Sequence, residues 1–141
     1  MATTDLAAIL TAWPATLEAS PLSLVPTAVT FTHDLQPAGM VARSYYLTDD
    51  GQISRSSATN DIEVRVDRVT LWVAYPRDFA GAAALTALSD LLDDVYRTLL
   101  PIARTAGYNL DPDTRRITPK DDVLIASQAF RVDYDFSSAA A

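Results

Sequence analysis

The chain of 141 residues contains no cysteine. Disulfide frameworks, thiolate zinc sites, iron–sulfur clusters and cysteine nucleophiles are excluded together, and the absence fits a reducing cytosol. Four scattered glycines make neither a phosphate loop nor a dinucleotide fingerprint, so no cofactor is expected. No apolar run approaches the roughly 18 residues of a membrane span. The opening stretch, MATTDLAAILTAWPATLEAS, lacks a basic leader region and reads as a helix rather than a secretory signal. Basic residues are outnumbered by acids, 11 to 18, and the net charge of −7 disfavours free binding to a nucleic-acid backbone. The single histidine, His33, is followed by Asp34. With Ser44, Ser54, Ser56 or Ser57 these offer the parts of a triad, but no Gly-x-Ser-x-Gly elbow accompanies them. A strand-end histidine beside a turn aspartate is the simpler reading, and no enzyme is expected.

What is present in strength is strand signal. In Ile62–Tyr75, Ile62, Val64 and Val66 alternate with Glu63, Arg65 and Asp67, the period-two pattern of a half-buried strand. After Asp67-Arg68 the apolar phase moves to Val69, Leu71, Val73 and Tyr75. A bulge near Asp67-Arg68 is expected to absorb the slip, within a strand central to a sheet. Under that reading Glu63, Arg65, Arg68, Thr70 and Trp72 share the face away from the core.

Nearly half the residues are apolar, enough for the core of one domain spanning 1–136. The apolar stripe Leu6, Ile9, Leu10, Trp13 and Leu17 predicts a helix over Thr4–Glu18, capped by Thr3 or Thr4 and disturbed at Pro14. Pro21 and Pro26 bracket an extended connector. Thr27–Asp34 and Met40–Thr48 read as strands, separated by a turn at Pro37–Gly39. The polar segment Asp49–Asp61 reads as a long hairpin loop or mobile arm. A second helix is expected from Phe79 to Thr105, with Asp78 as N-cap and Gly107 beyond its end. Its seam is Leu85, Leu88, Leu92, Val95, Leu99 and Ile102, with Pro101 bending the last turns. Asp111-Pro112-Asp113 reads as a turn before a short strand at Thr114–Thr118. Val123–Phe136 is the closing strand, with Phe130, Val132, Tyr134 and Phe136 inward, and Ser137–Ala141 a flexible tail. The order α-β-β-β-α-β-β predicts an α+β fold, a mostly antiparallel or mixed sheet with two helices on one face.

The acidic pairs Asp49-Asp50, Asp93-Asp94 and Asp121-Asp122 point in divergent directions from a helix or strand, so none is a preformed metal site. DDGQISRSS lacks the spacing and closing glutamate of a calcium loop. Arg115, Arg116 and Lys120 form one local basic cluster. Surrounded by Asp111, Asp113, Asp121 and Asp122, it suits a protein contact better than a phosphate backbone.

The N-terminal amphipathic helix, the short strands and polar hairpin, the V-x-V-D-R-V-T-L-W-V-x-Y-P strand, the helix LTALSDLLDDVYRTLLPIA and the final FRVDYDF resemble the small tail terminator proteins of long-tailed bacteriophages and tail-like particles. The resemblance is one of layout, over most of the chain. It implies a virion protein assembled in the host cytoplasm: a subunit of a hexameric ring that caps the tail tube and meets the head-side connector or stopper. DNA would pass through the lumen without sequence-specific binding. A ring needs a heterologous interface whose rotation closes. The candidate contact residues are Asp49, Asp50, Ile53, Arg55, Arg65, Arg68, Trp72, Arg115 and Arg116. Another neck, head–tail joining or minor tail protein shares the size, the acidity and the lack of chemistry. A cytosolic ligand-binding module, with a pocket between helices and sheet, is the reading from a different class.

Overall fold

Apolar alternation through the middle of the chain produces one long strand, and the rest of the fold is arranged around it. The computed structural model describes residues 3–26, 44–76, 82–120 and 123–138. In chain order the elements are α1 (Leu6–Glu18), β1 (Val25–Pro26), β2 (Ser44–Thr59), β3 (Ile62–Pro76), α2 (Ala83–Ala106), β4 (Asn109–Lys120) and β5 (Val123–Ser137). The sheet runs β1-β2-β3-β5-β4, with β3 in the middle. All pairings are antiparallel except the two-residue β1 against β2. The α+β class, the element order and the central strand are as expected. The expected strand Thr27–Asp34, the pair His33-Asp34, the turn at Pro37–Gly39, the cap Asp78 and the pair Asp121-Asp122 lie outside the described residues.

Register corrects the expected bulge in β3. Its pairing with β5 is unbroken from Ile62↔Ser137 to Pro76↔Val123. The change of apolar phase is therefore a change of face. Val69, Leu71 and Val73 share the helix side with Phe130, Gln128 and Ala126, their partners on β5. Ile62, Val64 and Val66 lie on the far face. Below Val69 the helix side is instead polar: Asp67 accepts a 2.7 Å hydrogen bond from the Tyr134 hydroxyl, and Arg65 lies 3.5 Å over the Phe136 ring. The bulges sit in β2, whose register against β3 shifts at Asp49/Gly51, Gln52/Ser54 and Ser57/Thr59. Gly51, at φ 102°, takes the left-handed backbone that the first of these needs. The expected loop Asp49–Asp61 is thus strand as far as Thr59, and Asn60-Asp61 alone make the turn.

The helices pack on one side of the sheet. α1 begins at Asp5, not at a threonine: the Asp5 carboxylate accepts from the Ala8 amide at 2.7 Å. Ile9, Trp13 and Leu17 are buried, and the helix continues through Pro14. The connector beyond it is not extended. Ser23 and Leu24 donate backbone bonds to Ala19 and Leu17, which turns Leu22 and Leu24 into the core. α2 starts one residue after Ala82, with no side-chain cap, and runs through Pro101 to the left-handed Gly107. The amides of Gly107 and Tyr108 both reach the Ala103 carbonyl, the paired closure of a glycine C-cap. In β4 the expected Asp111–Asp113 turn is a bulge between Pro112 and Arg115. That extra residue puts Pro112 and Pro119 in the same phase of an edge strand, where both can face away from β5 and cost the ladder no bond. Ser137, expected in a flexible tail, ends β5, and the Ser138 amide donates to the Asp61 carbonyl at 2.9 Å.

Candidate functional site: a groove on the far face of the sheet

Small side chains make the far face concave. Where the helix side carries Phe130 and Leu71, the alternate positions carry Thr70, Ser127 and Ala129. These floor an open groove of about 590 Å³, and no helix covers this face among the described residues. Trp72 stands at one end, stacked on Tyr46 with ring centroids 5.9 Å apart and planes within 10°. Its indole N–H donates to the Thr48 hydroxyl at 3.3 Å. Arg116, opposite Ser127, is exposed beside it.

Both acids of the groove accept hydrogen bonds from nearby groups. Asp50 accepts from the hydroxyls of Thr48 and Thr70. Asp49 accepts from the Gly51 amide at 2.9 Å. Arg68 pairs with Asp113 at 2.8 Å. Arg116 has no protein partner among the described residues, and its exposed guanidinium donors are left to solvent.

Of the nine candidate contact residues, the structure brings together Asp49, Asp50, Arg68, Trp72 and Arg116. Ile53 and Arg55 lie farther along β2 and are exposed. Arg65 and Arg115 are on the helix side. Arg65 pairs with Glu63 at 3.0 Å. Arg115 ties β4 to α2, donating to the Gln128 side-chain Oε1 at 2.6 Å and to Asp93 at 2.8 Å. The expected company of Glu63 and Arg65 with Trp72 fails because β3 has no bulge. Tyr46, Thr48, Ser127 and Ala129 escaped the sequence reading. Ser127 and Ala129, alternating with Gln128 and Phe130, are the available signal.

Four phenols around this sheet hold their protons more tightly than free tyrosine. Burial, then the nearby Asp50 carboxylate, pushes Tyr46 up to about 12. Burial also raises Tyr45 and Tyr134, each further opposed in ionising by the carboxylate it bonds, Glu18 and Asp67. Tyr108 is raised by burial, against the Trp13 N–H that favours its phenolate. Above the ordinary value of 10.0 the unfolded chain gives up these protons while the folded chain keeps them. Their contribution to stability is thus complete below about pH 10 and is lost as pH rises through the folded values. A phenolate absorbance titration of the native protein is expected to lag that of the urea-unfolded chain. Coincident curves would contradict the burial of these hydroxyls.

The chain matches no family model and no curated protein sequence. No helix among the described residues is long and apolar enough to cross a membrane. No cluster of three histidine or acidic side chains in them is placed to hold a metal ion.

Proposed function

We propose that this chain is a structural, non-catalytic subunit of a tail terminator ring, which caps a phage-type tail tube and meets a head-side connector. The observation that carries this reading is the far face of the sheet. It gathers Trp72, Arg68, Arg116 and an acidic rim into one open groove, opposite the side where both helices bury the core. A large, partly exposed aromatic on a sheet face that neither helix covers among the described residues is the kind of surface that a partner buries. The groove is open along its length, whereas small-ligand sites enclose most of their ligand. That favours a protein contact over the ligand-binding alternative. The layout that resembles tail terminators supplies the kind of assembly, and the net charge of −7 suits a ring through which DNA passes without being held.

Light scattering coupled to gel filtration tests the reading, with and without the cognate tail-tube protein. The tube protein is included because a ring subunit can remain monomeric until its template is present. A ring-sized species on the tube end is expected. A chain that stays monomeric at high concentration beside assembled tube would sink the proposal.

A further inference from the structure

We infer that the groove receives the tip of the β2–β3 hairpin of a second copy, with Asp61 of that copy meeting Arg116. The inference deepens the ring reading and rests on it for the closed assembly, but not for the pairwise contact.

The groove offers an indole at Trp72 and, at Arg116, a cation without an ion partner among the described residues. What fits is a carboxylate carried beside apolar atoms. The hairpin tip has both. The Asp61 side chain is exposed and unpaired among the described residues; only its carbonyl is used, by Ser138. Ile62, half-buried, follows it and supplies the apolar atoms.

Reach then decides whose tip it is. From Ile62 to Trp72, β3 runs ten residues without a register shift, about 33 Å at the usual strand rise of about 3.3 Å per residue. Nothing in an unbroken strand folds its own end back over that distance. Tip and groove are therefore two different patches on one subunit. A contact between them is made either once per pair, head to tail, which generates rings or filaments, or twice and reciprocally in a two-fold pair.

The absence of native cysteine makes the test clean. Chains carrying Asp61→Cys are mixed with chains carrying Arg116→Cys and treated with a short bis-maleimide. A seated pair sees an effective concentration in the millimolar range. Cross-linking is therefore expected at least about tenfold above a control mixture in which Arg104→Cys, on the exposed end of α2, replaces Arg116→Cys. In parallel, Arg116→Glu should weaken self-association about tenfold, and Asp61→Arg in the same chain should restore it. All these side chains are exposed, so the variants keep the fold. Equal cross-linking of both mixtures, or an Arg116→Glu defect that Asp61→Arg leaves unrepaired, overturns the contact. Rings on tail tube without the specific cross-link would remove this contact and leave the ring reading standing. Specific cross-linking without rings would do the reverse.

Discussion

Replacing Trp13 by alanine is expected to cost about 3–5 kcal/mol, the range for deleting a large aromatic from a core. Trp13 is fully buried, and three things are lost with it. The first is the indole surface itself. The second is the edge-to-face contact with Phe130, whose ring centroid lies 5.8 Å away at an interplanar angle of 81°. Such pairs add about 0.5–1.5 kcal/mol beyond burial. The third is the 2.9 Å hydrogen bond from the indole N–H to the Tyr108 hydroxyl, which joins α1 to the residue just after α2. Against a typical total of about 5–15 kcal/mol, the substitution removes a large share of stability. Urea unfolding read by far-ultraviolet dichroism measures it. Tyr108→Phe is the companion: it leaves the ring and orphans the buried indole N–H, at about 1–3 kcal/mol. A Trp13→Ala loss below that of Tyr108→Phe would show that the helix–sheet interface is not where the core is anchored.

The same contact shows what local pattern can and cannot reveal. The stripe Ile9, Trp13, Leu17 announces a buried face because helical spacing repeats within a few residues. The partner of that face does not follow from spacing, since Trp13 and Phe130 are distant in sequence. Strands β3 and β5 were legible almost to the residue for the same reason: both alternate, and both are long. Asp49–Thr59 reads as loop in the sequence because a strand beyond the reach of the helices has no core face to fill. Its polar side chains and glycine follow from that solvent exposure and mimic a turn.

The groove was half legible. Trp72 and Arg68 stand out against their neighbours, and alternation places them together. The phase change at Asp67-Arg68 has two physical solutions, a bulge or an exchange of faces, and periodicity is the same for both. Only the unbroken register with β5 separates them, and that choice moves Arg65 to the helix side. The hydrogen bonds that occupy Asp49 and Asp50 depend on the bulge at Gly51, which no spacing rule locates. Arg115 and Arg116 illustrate the limit most plainly. Adjacent on one strand, they point to opposite faces, one tied to Gln128 and Asp93 behind the sheet and the other free in the groove.

Leu92→Ala is expected to destabilise by about 2–5 kcal/mol, whereas Leu85→Ala should change stability by no more than about 0.5 kcal/mol. Spacing alone puts both leucines in one seam. The structure buries Ala84, Leu88, Leu92, Val95, Leu99 and Ala103 and leaves Leu85 47% exposed. At 3.6 residues per turn, Ala84 and Leu85 each sit about 50° from the centre line of the stripe, on opposite flanks. Ala103 and Ile102 do the same at the other end. The buried member changes flank between the two ends, Ala84 first and Ala103 last. That is what a straight helix laid obliquely across its neighbours produces, since each end leans on a different side. Leu92, at the crossing, is fully buried and has no slack to collapse into. Paired urea titrations of the two variants decide between the oblique stripe and the heptad seam. Similar losses from both would restore the seam and would require Leu85 to be covered in solution. A loss confined to Leu92 leaves Leu85 as exposed apolar surface on the side of the molecule away from the groove.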